Sequence, residues 1–452
     1  MSRLIKDSAV TFAAEAVTAV LTFANGVLLA RALGPDGKGI YALAVTWGSL
    51  GALILGFRWQ RPTGYFLARD EQAFPAIVGS NLLMAVVATV LSLLLWAAWP
   101  PLMEDLILPN AGRAVIAISI GWVASTFLWQ AITAIYGGMR RFFARSVFLV
   151  VACAVQLVPT IMLYLRNDQR VELYLATPLA TTLALYGGWI VWLLAERRAA
   201  PRVDWPLLSR MMRYASMAVA SVLLDMVMYR LDLFILNFLV GPGPVGVYTV
   251  AVGLANQLAR IPTILATVVF HRVSANEMGS GETTAGILRL SLLAMIGLGA
   301  VLALLGLLIV PIYGDQFAGA IPALYVMIPA TVFLGLYRML AADLDGRGRP
   351  GWVSLCSFIS AVTIVVLDLW WIPRFGLMGA AWASLVAYAV AFGAGGGAFC
   401  VLTGQRPRVT FAPRREDLVS LVRAVQRLRQ PGSVPPGVPP LESGGPTTWE
   451  GR

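Results

Sequence analysis

LGPDGKGIYALAV at 33–45 and VGPGPVGVYTVAV at 240–252 are one pattern written twice. The copies align without a gap, pairing Gly34 with Gly241, Pro35 with Pro242, Gly39 with Gly246, Tyr41 with Tyr248, Ala44 with Ala251 and Val45 with Val252. Gly-Pro by itself is ordinary turn chemistry. The equal spacing onward to a tyrosine and an Ala-Val pair is not, and it marks an internal duplication. Each copy lies between two apolar runs, so each reads as the tight turn joining the first two helices of a half.

Working outward from these turns, the chain is apolar almost throughout. Of its 452 residues 58% are hydrophobic and only 13% charged, and the mean hydropathy is +0.76. A soluble domain has about a quarter of its residues charged. A helix needs about 20 apolar residues to cross a hydrocarbon core. Twelve segments qualify, at 8–31, 38–57, 73–99, 112–136, 146–165, 171–195, 212–240, 244–270, 285–312, 317–341, 352–371 and 376–402. The expectation is an all-α polytopic membrane protein of about twelve transmembrane helices in two six-helix lobes, 1–200 and 201–404. Both copies of the turn fall on the same side, so the halves are parallel repeats about an axis along the membrane normal. A basic amphipathic helix is expected over 405–430, where Leu418, Leu421, Val422, Val425 and Leu428 recur at helical spacing among arginines. It suits the surface of anionic membrane lipids. The Pro- and Gly-rich stretch 431–452 is expected to be disordered.

The 34 Lys and Arg against 23 Asp and Glu give +11, which in a soluble protein would raise nucleic acid. Here the basic residues fill short gaps between spans, and nucleic acid is set aside. Alternating the gaps leaves only Arg31, Lys38, Arg113, Arg166, Arg170 and Arg374 on the side of the two turns. Most of the rest, including Arg58, Arg61, Arg140, Arg141, Arg145, Arg272, Arg289, Arg338 and the arginines after 404, share the side of the amino terminus. The positive-inside rule then puts both termini in the cytoplasm. Arg3 and Lys6 precede an apolar stretch too long for a signal-peptide core and without a small-residue cleavage site, so it reads as a retained first span.

Cys153, Cys356 and Cys400 each sit in an apolar run with no metal-ligand spacing and read as packing residues. His271, beside Arg272 at a helix end, reads as a boundary residue rather than a proton carrier. No metal, cofactor or catalytic residue is expected.

Three longer stretches, LLARALGPDGKGIYALAV (28–45), YRLDLFILNFLVGPGPVGVYTVAVGLANQLARIP (229–262) and IPRFGLMGAAWASLVAY (372–388), carry a resemblance. The chain resembles the polysaccharide transporter branch of the multidrug/oligosaccharidyl-lipid/polysaccharide flippase superfamily, which includes the O-antigen flippases. The resemblance covers the chain to about residue 404 and leaves out the tail. It implies lobes arranged in a V around a central cavity, rocking between inward-open and outward-open states. It also implies a cargo such as undecaprenyl-pyrophosphate oligosaccharide and a place in the bacterial inner membrane. Apart from the resemblance, the basic tail leaves open whether a polysaccharide polymerase or glycosyltransferase binds there.

A pyrophosphate drawn through a bilayer exchanges its hydration for fixed positive charge, and arginine stays ionised and binds phosphate bidentately. Ionisable residues inside spans are costly enough to be functional candidates. Arg260 is the first, preceded by Asn256 and Gln257 and followed by Pro262; it reads as cargo-facing, against structural pairing or snorkelling. Arg230 is the second. Asp225 and Asp232 lie on one helix face at about 10 Å, while Arg230 points almost opposite to Asp232. An intrahelical Arg230–Asp232 pair is therefore disfavoured. Either aspartate could couple ions, and for Asp232 a lobe-internal ion pair competes. Glu15, the one acid deep in the first span, is a cation or proton site or a buried hydrogen-bonded carboxyl. Arg58, Arg61 and Arg140 could form a basic entrance or be ordinary loop charges. Asp343 and Asp345, beside Arg338, Arg347 and Arg349 at the inner end of the tenth span, read as a loop charge cluster with a structural role.

Three functions compete on this reading. A lipid-linked oligosaccharide flippase needs a basic cavity and no nucleophile. A cation-coupled multidrug antiporter needs acids facing the cavity. A membrane glycosyltransferase, ligase or polymerase needs a sizeable external loop, for which these short gaps leave little room.

Overall fold

The computed structural model describes residues 2–412 and 414, apart from 57, 110, 217–218 and 275–280. The side chains of Asp225, His271 and Arg272 fall outside the described residues, as do most of the expected 405–430 helix and all of 431–452.

Among the described residues the chain is helical. The first helix, α1 (Ser2–Leu55), is two limbs joined at Gly34, whose φ of 64° breaks the helix. It is followed by α2 (Gln60–Arg69), α3 (Phe74–Ala98), α4 (Arg113–Gly138), α5 (Phe142–Leu165) and α6 (Val171–Glu196). Then come α7 (Trp205–Ser216), α8 (Val219–Val240), α9 (Pro242–Ala255) and α10 (Arg260–Ser274). The rest are α11 (Glu282–Gly306), α12 (Ile309–Tyr313), α13 (Ala320–Gly346), α14 (Pro350–Phe375), α15 (Leu377–Thr403) and α16 (Pro407–Phe411). Nine of the described helices are long and apolar enough to cross a membrane, with α1 counted once. The bend at Gly34 makes two crossings of α1. The remaining two of the twelve are α8, made too polar for that count by Asp225, Arg230 and Asp232, and the interrupted pair α9–α10.

Several boundaries differ from expectation, each for a local reason. The basic stretch before the seventh span contains an amphipathic helix, α7, burying Leu207, Met211 and Ala215 and leaving Trp205 68% exposed. The gap after the second span likewise holds α2, burying Pro62, Thr63 and Leu67. The eighth span is broken at 256–259, where Leu258 N–H bonds to Ala255 O and Ala259 N–H to Asn256 O in three-residue turns. Pro262 has no N–H to return to Leu258 O, so an α-helical ladder cannot run through. Finally α13 extends to Gly346, and α11 starts at Glu282. Arg289 and Arg338 lie within these helices, as the expected spans 285–312 and 317–341 place them; Arg338 lies 4.9 Å from the centre of the Tyr229 ring, and Arg289 is buried.

The duplication read from the sequence is also spatial. Gly241 takes a φ of 111° at the head of α9, as Gly34 takes 64° in α1, a region open to glycine at little cost. Across the molecule the two turns meet. A methyl on Gly39 would stand 1.9 Å from Pro242 O, and one on Gly246 would stand 2.0 Å from Pro35 O. The second limb of α1 and α9 thus pack backbone to backbone through the matched glycines, each against the matched proline of the other half. Arg31 is no free loop charge: its Nε donates to Ile312 O at 2.7 Å and its Nη2 to Pro311 O at 2.8 Å. Lys38 is also turned inward, donating to Gly26 O at 3.0 Å. The lobes are closed against each other on this face.

Candidate functional site

At the opposite face the halves meet through a charge pair. Arg260 heads α10 just after the break, and Glu15 lies on the first limb of α1; the guanidinium Nη1 is 3.6 Å from Glu15 Oε2 and 3.4 Å from Glu15 O. Both side chains are about half exposed, 42% and 52%. Each residue is 19 positions in sequence from its turn glycine, Gly34 or Gly241, and along the continuous first limb of α1 that is about 28 Å at 1.5 Å per residue. The Gly39–Gly246 contact and the Glu15–Arg260 pair therefore bracket roughly one hydrocarbon thickness. The two residues taken from sequence as separate cargo and ion candidates are partners. Asn256 and Gln257, exposed on the same broken turn, flank Arg260.

Arg230 is exposed on α8 while Asp232, two residues on, is only 5% exposed. They point to opposite faces, as the helical spacing demands. Asp232 makes no ion pair among the described residues, correcting the lobe-internal pair considered for it. Its Oδ2 accepts from Tyr248 Oη at 2.8 Å and its Oδ1 from its neighbour Leu233 N at 2.9 Å. Tyr248 Oη is also 3.2 Å from Ser384 Oγ on α15.

The same geometry exists in the first half with one chemical change. Tyr41, the match of Tyr248, lies beside Asn25 and Gln156. Asn25 occupies the position that Asp232 holds relative to its own turn. The tyrosine thus meets an amide in one lobe and a carboxylate in the other.

Sequence reasoning missed Asp368, one polar residue in the apolar run of α14. It is fully buried, it acts electrostatically on Tyr388 together with Asp232, and neither of its oxygens has a hydrogen-bond partner among the described residues. Asn237 of α8, 1% exposed, is similarly unsatisfied at both side-chain atoms. An isolated carboxylate in such surroundings costs several kcal/mol or more. A proton or a small cation at Asp368 would remove that cost. The sequence signal was weak: Asp368 is the one acidic residue of the expected span 352–371 and lies close to its end.

Arg58 and Arg140, at the ends of the second limb of α1 and of α4, take φ of 51° and 56°. Arg61 and Arg145 line a cavity of about 440 Å³ between α2 and α4 with Gln60 and Thr133. Arg141, next to Arg140, is held by Glu196 at 2.8 Å. Asp343 proves structural as expected: it is buried, accepts from Thr284 Oγ1 at 2.6 Å and pairs with Arg347. Its setting, though, is the last turn of α13 and not a loop. No group of three or more His, Cys, Asp or Glu able to hold a metal occurs among the described residues.

No protein-family model matches the chain, and no curated protein matches it in sequence. Solved structures do share its fold. The lipid II flippase MurJ in an inward closed conformation superposes with a TM-score of 0.72 at 13% identity, over 94% of this chain and 93% of that one. An inward-facing multidrug resistance MATE family transporter of the MOP superfamily gives 0.68 at 14% identity, over 86% and 94%. An outward-facing MATE transporter gives 0.59 at 16%, over 88% and 95%. The chain therefore has the two-lobed, polytopic helical membrane fold of these MurJ and MATE structures.

Proposed function

We propose that the protein is a flippase that moves a lipid-linked oligosaccharide, carried on undecaprenyl pyrophosphate, across the bacterial inner membrane by alternating access, for surface polysaccharide of the O-antigen or lipopolysaccharide type. The observation that carries this reading is Arg260: an arginine at a helix break on the seam between the lobes, held by one half-exposed carboxylate. On this reading 1–200 and 201–404 are the rocking units, with both termini and the arginine-rich face cytoplasmic. Glu15 is a placeholder for phosphate. Its pair with Arg260 is long and solvated, a class worth about 0–1 kcal/mol, whereas a pyrophosphate offers bidentate charge-assisted bonds roughly twice as strong as neutral ones. An arriving headgroup displaces Glu15, and Asn256, Gln257 and Arg230 add donors as the lobes rock. Arg58, Arg61 and Arg140 form the basic entrance, and the polyprenyl tail stays in lipid. Arg31 and the turn glycines release when the far face opens. The MurJ structure, a lipid II flippase by its title, supports a lipid-linked cargo, and nothing in the arrangement calls for an enzyme.

The MATE likeness supports a cation-coupled multidrug antiporter as the second reading. Against it, Asp232 and Asp368 are buried within the second lobe, among α8, α9, α14 and α15, and do not face the seam. Their position suits a coupling cation or proton better than a cationic drug. The decisive test is the sidedness of lipid-linked glycans in the native host with this gene deleted and redundant flippases absent. Accumulation on the cytoplasmic leaflet with loss of surface polysaccharide is expected. Normal export would overturn the flippase and favour the antiporter.

A further inference from the structure

On the amino-terminal face, away from the seam, α2, the 70–76 segment and the 202–214 stretch enclose a cavity of about 620 Å³. Arg69, Arg202, Arg210 and Arg213 line it, against two acids, Asp70 and Asp204. Both acids are already committed to backbone: Asp70 Oδ1 accepts from Gln72 N at 2.9 Å, and Asp204 Oδ1 accepts from Leu207 N at 3.0 Å. None of the four guanidiniums is in an ion pair among the described residues. Arg69 lies instead 4.4 Å from the centre of the Tyr65 ring, and Arg210 lies 5.8 Å from that of Phe66. The cavity therefore carries two positive charges more than its acids offset.

The cavity is a built feature. Arg202 N–H bonds to Pro75 O at 3.2 Å, and a methyl on Gly79 would stand 2.1 Å from Arg202 O, so the linker is seated directly on α3. Tyr65 and Tyr214 stack at 4.9 Å and fasten α2 to α7. Beside the arginines, Val203 and Trp205 are 39% and 68% exposed. Aromatic and apolar side chains next to arginines on an amphipathic helix mark the depth of a lipid headgroup, with acyl chains against the one and phosphate against the other.

We propose that this pocket binds the phosphate of a doubly charged lipid headgroup, a phosphomonoester or diphosphate, from the leaflet on the amino-terminal face. A dianion neutralises the surplus of two charges, and a singly charged phosphodiester leaves half of it. Because the pocket joins α2 to the helix that links the lobes, its occupant fastens the linker to the first lobe. This holds whatever the cargo.

The test uses the full-length purified chain, with retained lipids read by native mass spectrometry and unfolding midpoints measured in parallel. Phosphatidate, phosphatidylserine and phosphatidylcholine are supplied separately, and inorganic diphosphate forms a fourth arm. Phosphatidate is expected to be retained in preference to phosphatidylserine and to raise the midpoint. Arg202→Gln and Arg213→Gln should each weaken that retention by about fivefold, while Arg198→Gln, an exposed arginine on the same face, leaves it unchanged. Should one of these variants fail to fold, the other still reports. Equal retention of phosphatidate and phosphatidylserine, or retention unchanged in Arg202→Gln and Arg213→Gln, would overturn the proposal. Inorganic diphosphate stabilising as well as phosphatidate would overturn the lipid assignment and leave a soluble phosphate as the ligand.

Discussion

The contact between the two turns makes Gly246→Ala the sharpest perturbation available. The new methyl carbon would sit 2.0 Å from Pro35 O and 3.0 Å from Gly39 N, whereas a carbon and a carbonyl oxygen approach no closer than about 3.3 Å without strain. The halves must part there by roughly 1.3 Å. Both partners are backbone, so no side chain can swing aside. Forcing one carbon into a close-packed contact costs about 1–3 kcal/mol. That cost falls only on the state with this face closed, because Gly246 and Pro35 belong to different lobes. It should shift the equilibrium toward opening of this face by about 5- to 150-fold. Gly39→Ala, whose methyl would stand 1.9 Å from Pro242 O, should act in the same direction. The assay is a spin-label distance between Trp99→Cys, just past α3, and Phe375→Cys, at the end of α14, both exposed and on this face. Cys153, Cys356 and Cys400 would first be replaced. The expected result is a longer-distance population in both alanine variants, with an unfolding midpoint near the parent's. Unchanged distances in correctly folded Gly39→Ala and Gly246→Ala would refute the argument that this contact closes the face.

Three further outcomes follow from other contacts. Arg260→Ala should lower flipping sharply yet change unfolding free energy by no more than about 1 kcal/mol, since the Glu15 pair is half exposed; a large stability loss with normal flipping would show a structural role instead. Asp368→Asn should abolish dependence of transport on the driving ion gradient while leaving stability equal or higher, because it replaces a buried carboxyl with no hydrogen-bond partner among the described residues; transport assayed in vesicles with and without the gradient decides it. Gly79→Ala should free the linker from α3, since its methyl would meet Arg202 O at 2.1 Å, and cost about 1–3 kcal/mol; faster proteolysis between α6 and α7 is the readout.

The sequence by itself determined what is local and periodic. Apolar run lengths gave twelve crossings, the gapless match of 33–45 with 240–252 gave the duplicated turn, and 100° per residue separated Arg230 from Asp232. Amphipathic α2 and α7 were legible in principle, but their arginines looked like loop charge because a gap between spans is where loop charge is expected. Proline at 262 announced a break without fixing its place. The tertiary structure decided which distant residues meet. Glu15 reaches Arg260, Gly39 reaches Pro242 and Gly246 reaches Pro35 only because the halves fold back on each other about the repeat axis, and helical periodicity says nothing across such separations. The same holds inside the second lobe. Asp232 has the look of a residue needing an ion pair until the fold sets Tyr248 against it, and Asp368, a lone carboxyl near a span end, gives no sign of its burial until α14 sets it near that pair. A side chain's environment in a bundle is set by the neighbouring helix, and the choice of neighbour is a property of the whole chain.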